Sequence, residues 1–174
     1  MAQVPPDADV LEMSSSAAET MLECGSSFVM IAESGDSRRL VAARDIPNGT
    51  RLFHLEGRET DRPTRYSVQI GADLHLDTDC ARDDAEVLAR YYWRYLDHSC
   101  EPSTVLRERA MVAVRDIAAG EGVTFDYNTT EYDMAVPFQC YCGTVRCVGT
   151  VRGARHLTPV QRRRVARRLP AYLK

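Results

Sequence analysis

The chain is almost without lysine: of its 22 basic residues, only Lys174 is not arginine. It also has no aspartate or glutamate after Asp133. Residues 1–133 hold all 25 acids against 13 bases, a balance of −12, while residues 134–174 hold nine bases, a balance of +9 that brings the net charge to −3. An acidic body suits a cationic partner such as a lysine-bearing peptide, and a basic tail suits nucleic acid or another phosphate-rich partner. The plainer reading is two solvated surfaces that attract one another, so nucleic acid ranks last among the expected partners. Long apolar runs are missing too. Stretches such as FVMIA at 28–32 fall far short of the roughly 20 residues that cross a bilayer, which excludes a membrane-spanning helix and argues against a membrane partner. The first twenty residues lack the basic start and apolar stretch of a secretory signal, so a cytoplasmic location is expected. Near-exclusive use of arginine is a compositional mark of a GC-rich, bacterial genome.

What is present suffices for one core. A chain of 174 residues with 44% hydrophobic content predicts one domain with tails. Residues 1–23 read as a loose leader, with a short helix near 17–24. Short β-prone runs follow at 27–34, 38–46, 50–57 and 65–77, punctuated by turn residues such as Pro47-Asn48-Gly49. Apolar residues at helical spacing predict a central helix over 83–96. Two more strands are expected within 110–128. A capping box at Thr158 and Gln161, with Pro159 at the first helical position, predicts a basic helix to about Leu169.

The six thiols of a cytoplasmic protein should be reduced or bound to metal. Cys140, Cys142 and Cys147 form C-x-C-x4-C, and three thiols within eight residues point to zinc. A structural zinc wants a fourth ligand. Cys100 leads, because it lies in the other polar, turn-like cluster, YLDHSCEPS at 95–103, with Cys24 and Cys80 as competitors. That cluster also permits a different reading, with Cys100 as a nucleophile beside His98.

Four motifs stand in register with a known family. RYLDHSCEPS resembles R-F-x-N-H-S-C-x-P-N, GEGVTFDYN resembles G-E-E-L-T-F-D-Y-N, CYCGTVRC resembles a post-SET zinc segment, and LVAARDIPNGTRLFHLEG resembles the N-terminal SET stretch. Over about residues 27–155 the chain is therefore similar to the SET-domain lysine methyltransferases. The resemblance implies a mainly β fold of small curled sheets with a C-terminal pseudoknot, a few short helices and a post-SET zinc site. It implies a SET domain over 24–136, a post-SET segment over 137–155, and a basic C-terminal helix and tail over 156–174. Zinc would be held by Cys100, Cys140, Cys142 and Cys147, which leaves no free thiolate at Cys100 to attack.

The activity it implies is methyl transfer from S-adenosylmethionine to a lysine amine of a protein or peptide. Tyr127 would lie beside the methyl group, Phe125 would leave room for more than one methyl, and Tyr66 would line the lysine channel. Ser37, Arg38, Arg39, Asp97, His98 and Tyr141 would lie against the cofactor, with Asp97 and His98 facing its pocket. Three departures fall near that cofactor. The family's Gly-x-Gly aligns with Ser37-Arg38-Arg39, where glycine would have allowed close approach. The asparagine of N-H-S-C is Asp97, which loses an amide donor and gains a charge. The E-Y-x-G segment reads His54-Leu55-Glu56-Gly57. These changes, with a short region ahead of the central helix, support two alternatives: an enzyme acting on a small amine or amino acid, and a non-catalytic SET-fold interaction module.

Overall fold

The computed structural model describes residues 19–174, so residues 1–18 of the expected leader lie outside the described residues. Among the described residues the chain builds thirteen short strands, two α-helices and four 3-10 turns. The first sheet is β1 (Thr20–Leu22), β2 (Val29–Ser34) and β3 (Ser37–Ala42), in that order and antiparallel. The helix expected near 17–24 is thus replaced over Thr20–Leu22 by an edge strand that pairs with Ile31–Glu33 and sets Leu22 against the core. Gly35 sits in the two-residue loop between β2 and β3 with φ 56, backbone that only glycine adopts readily. The glycine in this region therefore serves the turn rather than the strand.

A second sheet joins β4 (Arg51–His54), β10 (Ala110–Ala113) and β9 (Thr104–Arg107); a third joins β5 (Arg58–Thr60), β7 (Leu74–Asp77) and β6 (Val68–Gly71). Two further pairs complete the set: β8 (Asp97–His98) runs parallel to β11 (Thr124–Phe125), and β12 (Phe138–Gln139) is antiparallel to β13 (Thr150–Val151). The architecture is mainly β, in small sheets, as the family resemblance implied. Inward-facing residues of the first three sheets, among them Val29, Ile31, Leu40, Leu76 and Met111, form one core with Trp93 at its centre. Burying each such side chain stabilises the fold by roughly 1.5–3 kcal/mol.

The central helix stops early. Helix α1 spans Asp84–Arg90, with the Asp83 side chain accepting from Glu86 N, and a 3-10 turn over Tyr92–Tyr95 replaces the rest of the expected 83–96 helix. The break at Tyr91 (φ −111, ψ 20) lets Tyr91, Tyr92 and Trp93 all be buried. No single helix face buries three successive residues. Trp93 Nε1 then donates to the Glu56 carbonyl at 2.8 Å. Its neighbour Gly57 must be glycine, because a Cβ there would meet the Asp77 carbonyl oxygen at 2.5 Å.

Helix α2 (Pro159–Val165) has the expected capping box but ends at Val165, and the chain turns so that Leu169 and Leu173 pack on Val165 and Ala154. Part of the tail's charge is used in docking it. Arg155 and His156 pair with Asp133, and Arg107 donates to the carbonyls of Arg167 and Arg168. Among the described residues no helix is long and apolar enough to cross a membrane.

Candidate active site

The stretch from Tyr95 to Cys100 lies where the chain crosses itself. The parallel pair β8–β11 sets Asp97 beside Thr124 and His98 beside Phe125, and Ser99 N donates to the Phe125 carbonyl at 3.1 Å. This crossing brings GEGVTFDYN against YLDHSCEPS. Immediately afterwards the Asp126 side chain accepts from Asn128 N and Nδ2, starting the 3-10 turn Tyr127–Thr129.

Tyr127 is held on every side. Its hydroxyl donates to the Leu96 carbonyl at 2.5 Å, and its ring lies 4.6 Å from Phe125, 5.3 Å from His98 and 5.8 Å from Phe138, centroid to centroid. Burial, reinforced by the nearby Asp97 and Glu131 carboxylates, pushes its hydroxyl far above the usual tyrosine range, so it stays a protonated donor. Two cavities meet at this residue. One is a channel of about 60 Å³, with Phe125, Tyr127 and Glu131 in its buried part and Tyr66, 45% exposed, at its rim. Arg94 lies over the Tyr66 ring at 4.0 Å. The other is an open cleft of about 1300 Å³.

All six residues expected at the cofactor border that cleft: Ser37, Arg38, Arg39, Asp97, His98 and Tyr141. They do so in different ways. Arg38 is drawn aside by Asp84 at 2.7 Å, by Glu33 at 3.4 Å and by the Tyr95 hydroxyl at 3.0 Å, while Arg39 pairs with Glu19. The surrounding protein raises the Asp97 carboxyl above its ordinary range, with Arg39 opposing. Tyr141 is 88% exposed, an uncovered ring at the cleft's edge.

His98 faces the other way. Its side chain is only 3% exposed, its Nδ1 accepts from Tyr127 N at 3.2 Å, and its Nε2 lies 3.3 Å from Cys100 Sγ. With Nδ1 accepting, Nε2 carries the proton and faces the sulfur. Burial brings this imidazole down to about 4, so it is neutral at ordinary pH. His98 thus borders the cleft while its ring nitrogens support Tyr127 and face Cys100.

Behind it lie the thiols. The sulfurs of Cys100, Cys140, Cys142 and Cys147 are all within 4.8 Å of one another, whereas Cys24 and Cys80 stand apart from the group. Thiolates bound tetrahedrally at about 2.3 Å from zinc sit roughly 3.8 Å apart, and Cys100 and Cys140 are separated by 3.9 Å. Backbone N–H groups of Val148, Cys142 and Gly149 point at the sulfurs of Cys100, Cys140 and Cys147 at 3.4–3.5 Å, as the outer shell of a thiolate site requires. Burial pushes the Cys100 thiol far up and that of Cys140 to about 11. At Cys142 burial works in the same direction, but hydrogen bonds from Thr144 and its neighbours outweigh it and bring that thiol to about 6. The donor set fits a structural zinc, whose charge would favour the thiolate at every position.

One site residue escaped the sequence reading: Glu131. It lies four residues after Tyr127, and its backbone N donates to the Tyr127 carbonyl at 2.9 Å, which sets both side chains at the channel. The only sequence signal was an acid one helical turn after the D-Y-N motif.

Comparison with known proteins agrees with this geometry. The SET domain family model matches residues 37–128, just over half of the chain. A protein named Methyltransferase flvH from Aspergillus flavus is 36% identical over 100 residues, which are 55% of this chain and 50% of that protein. An H3 lysine-36-specific histone-lysine N-methyltransferase of Cryptococcus neoformans var. neoformans is 37% identical over 68 residues, 34% of this chain and 8% of that protein. The chain thus matches half or less of the length of these relatives. Among solved structures, KRYPTONITE bound to mCHG DNA and SAH superposes with a TM-score of 0.50 at 19% identity, covering 68% of this chain and 27% of that one. The methyltransferase domain of human SETMAR does so with a TM-score of 0.50 at 16% identity, covering 70% and 56%. On the matched family model and the shared fold, this chain belongs to the SET-domain family.

Proposed function

We propose that this protein is an S-adenosylmethionine-dependent methyltransferase whose acceptor is an amine, first of all the lysine side chain of a protein or peptide. The observation that carries this reading is the meeting of a large open cleft and a much smaller channel along a shared wall whose buried part holds Tyr127. A donor of nucleoside size and a slender acceptor can then approach the same point from two sides. The relatives named as H3 lysine-36 methyltransferases support lysine as the acceptor.

When bound in the cleft, S-adenosylmethionine supplies an electrophilic methyl group. The chain's own residues supply position. Tyr127, locked by Leu96 O and three rings, offers hydroxyl lone pairs at the junction, and Phe125 leaves the space beside it free of a second hydroxyl. Holding donor and acceptor in line replaces a costly encounter with an ordered approach. An ordinary lysine ammonium must also lose its proton, which costs roughly 4.6 kcal/mol at pH 7, and burial in the channel lowers that cost. Zinc at the four thiols would fix the segment carrying Phe138 and Tyr141 against the cleft.

A second reading, methylation of a small amine or amino acid, is favoured by the six-residue link between β7 and α1, residues 78–83, which adds little wall for gripping a peptide. The relative from Aspergillus flavus is named simply as a methyltransferase. The test is to incubate the zinc-loaded protein with methyl-labelled S-adenosylmethionine and two panels, lysine peptides and small amines, and to follow label by mass spectrometry. Label on peptides supports the first reading and label on small amines the second. With no label on either panel and no binding of cofactor, the enzyme reading fails and the interaction-module alternative stands.

A further inference from the structure

Glu131 is the one acidic side chain lining the channel, and its two oxygens are used differently. Oε1 accepts from Gln69 N at 2.8 Å and lies 3.4 Å from Thr130 Oγ1. Oε2 takes no hydrogen bond among the described residues and lies 3.8 Å from His75 Nε2. The side chain is 9% exposed, and Glu131 lines the channel beside Tyr127 and Phe125. A carboxylate placed only to hold Gln69 N–H needs one oxygen. The second oxygen is left without a hydrogen bond on a side chain that forms part of the channel wall.

The other titratable groups facing Glu131 are few. His75 comes from β7, Tyr127 from the 3-10 turn, and Tyr172 from the C-terminal turn, where its hydroxyl donates to the carbonyls of Gln69 at 2.6 Å and Thr130 at 3.2 Å. Burial lowers the His75 imidazole and raises both phenols, so none of the three brings a positive charge to the carboxylate. Burial also pushes Glu131 up to about 7, against its hydrogen bonds with Gln69 and Thr130. No arginine pairs with the carboxylate among the described residues: the two that line the channel, Arg65 and Arg94, lie over the Tyr66 ring at its rim.

We infer that Glu131 Oε2 receives the cationic amine of the substrate in the channel and takes its proton. This rests on the amine-methyltransferase reading and deepens it. In the step, an N–H bond of the ammonium breaks and an O–H bond forms at Oε2, leaving a neutral amine and a neutral carboxyl group. The amine's lone pair then forms the N–C bond as the S–C bond of the sulfonium breaks, its electron pair passing to sulfur. The acceptor class this selects is a slender aliphatic amine, cationic in water and neutral at the moment of transfer.

The test uses the full zinc-loaded chain, with n-butylammonium as the probe and n-pentanol as its uncharged counterpart, read by NMR at the methyl groups of Val68 and Ala135, which line the channel and not the cleft. The wild type should bind the ammonium at least tenfold more tightly than the alcohol. Glu131→Gln, which keeps an acceptor for Gln69 N–H, should erase that preference. If Glu131→Gln does not fold, carboxyl-labelled wild-type protein decides: the Glu131 signal must move with the ammonium and stay still with the alcohol. Equal affinity for the two probes, a preference that survives Glu131→Gln, or an unmoved carboxyl signal would overturn the inference. Calorimetry with S-adenosylhomocysteine on the same samples reads the cleft independently, so failure of the cofactor reading and failure of the Glu131 assignment are separable.

Discussion

The channel of about 60 Å³ and the cleft of about 1300 Å³ share Arg65, Tyr66, Arg94, Leu96, Tyr127, Met134 and Val136 as common wall, yet they hold their acids differently. In the cleft the arginines are paired and largely hydrated, Arg38 with Asp84 and Glu33 and Arg39 with Glu19, while Asp97 has no ion-pair partner among the described residues. In the channel a single carboxylate, Glu131, is buried beside a neutral histidine and phenols. Paired, hydrated charges contribute little to stability and tolerate change. A buried, unpaired carboxylate shifts its own titration and answers strongly to any cation that arrives. The wall that departs most from the family's pattern should therefore matter least, and the residue the pattern does not contain should matter more.

The largest expected effect would separate the two cavities physically. The thiol cluster packs with Val151, Phe138 and Val148 in its own small core, apart from the main one. Structural zinc sites contribute on the order of 10 kcal/mol to the segments they fold. Chelation, or Cys140→Ser, should melt residues 134–151 in a separate early transition by scanning calorimetry and abolish S-adenosylhomocysteine binding at the cleft. A single cooperative transition would show the two cores to be one.

Next comes the shared wall. Tyr127→Phe removes the donor to Leu96 O and should lower kcat about 10²- to 10³-fold, while S-adenosylhomocysteine affinity stays within about threefold. A comparable loss of affinity would make Tyr127 part of the cleft rather than its boundary.

The third effect is a stability slope. Glu131 in the fold stands at about 7, above its unfolded value near 4.5, so the folded state binds more protons between these limits. Its contribution to stability is fully present below about pH 4.5 and is lost as pH rises through about 7, by up to about 3 kcal/mol. Denaturant unfolding of the wild type against Glu131→Gln should show this slope only in the wild type. Parallel curves would mean that burial does not govern Glu131.

The smallest effect belongs to the altered strand. Restoring glycine with Arg39→Gly should cost about 1 kcal/mol, from a lost surface pair and a weakened strand, and should change S-adenosylhomocysteine affinity less than threefold. A tenfold gain would show that Arg39 obstructs the cleft and would break the contrast.

The cluster of four thiols was legible because most of its spacing is local: C-x-C-x4-C announces itself, and the D-H-S-C turn supplies the fourth sulfur through a crossing that the family resemblance implies. Tyr127 was legible through its motif. The arginines of β3 could be flagged as unusual but not interpreted, since their partners Asp84, Glu33 and Glu19 are chosen by tertiary contacts. The break at Tyr91 was invisible because the helical period continues straight through it; only the demand to bury Tyr91, Tyr92 and Trp93 together reveals it. Strand β1 was hidden in residues with helical composition, its conformation set by the exposed edge of β2. Glu131 was unreadable for a related reason: what makes it notable is an oxygen left unbonded at 9% exposure, a property of the folded channel and not of the segment NTTEYD.

The most direct test of the central claim is calorimetric titration of S-adenosylmethionine into the zinc-loaded protein. A saturable one-to-one isotherm, retained in Tyr127→Phe and lost on chelation, is what the cleft, the junction at Tyr127 and the thiol support together predict. A folded, zinc-loaded sample that gives no heat would contradict the account, because the cleft would then hold no methyl donor for the channel to meet.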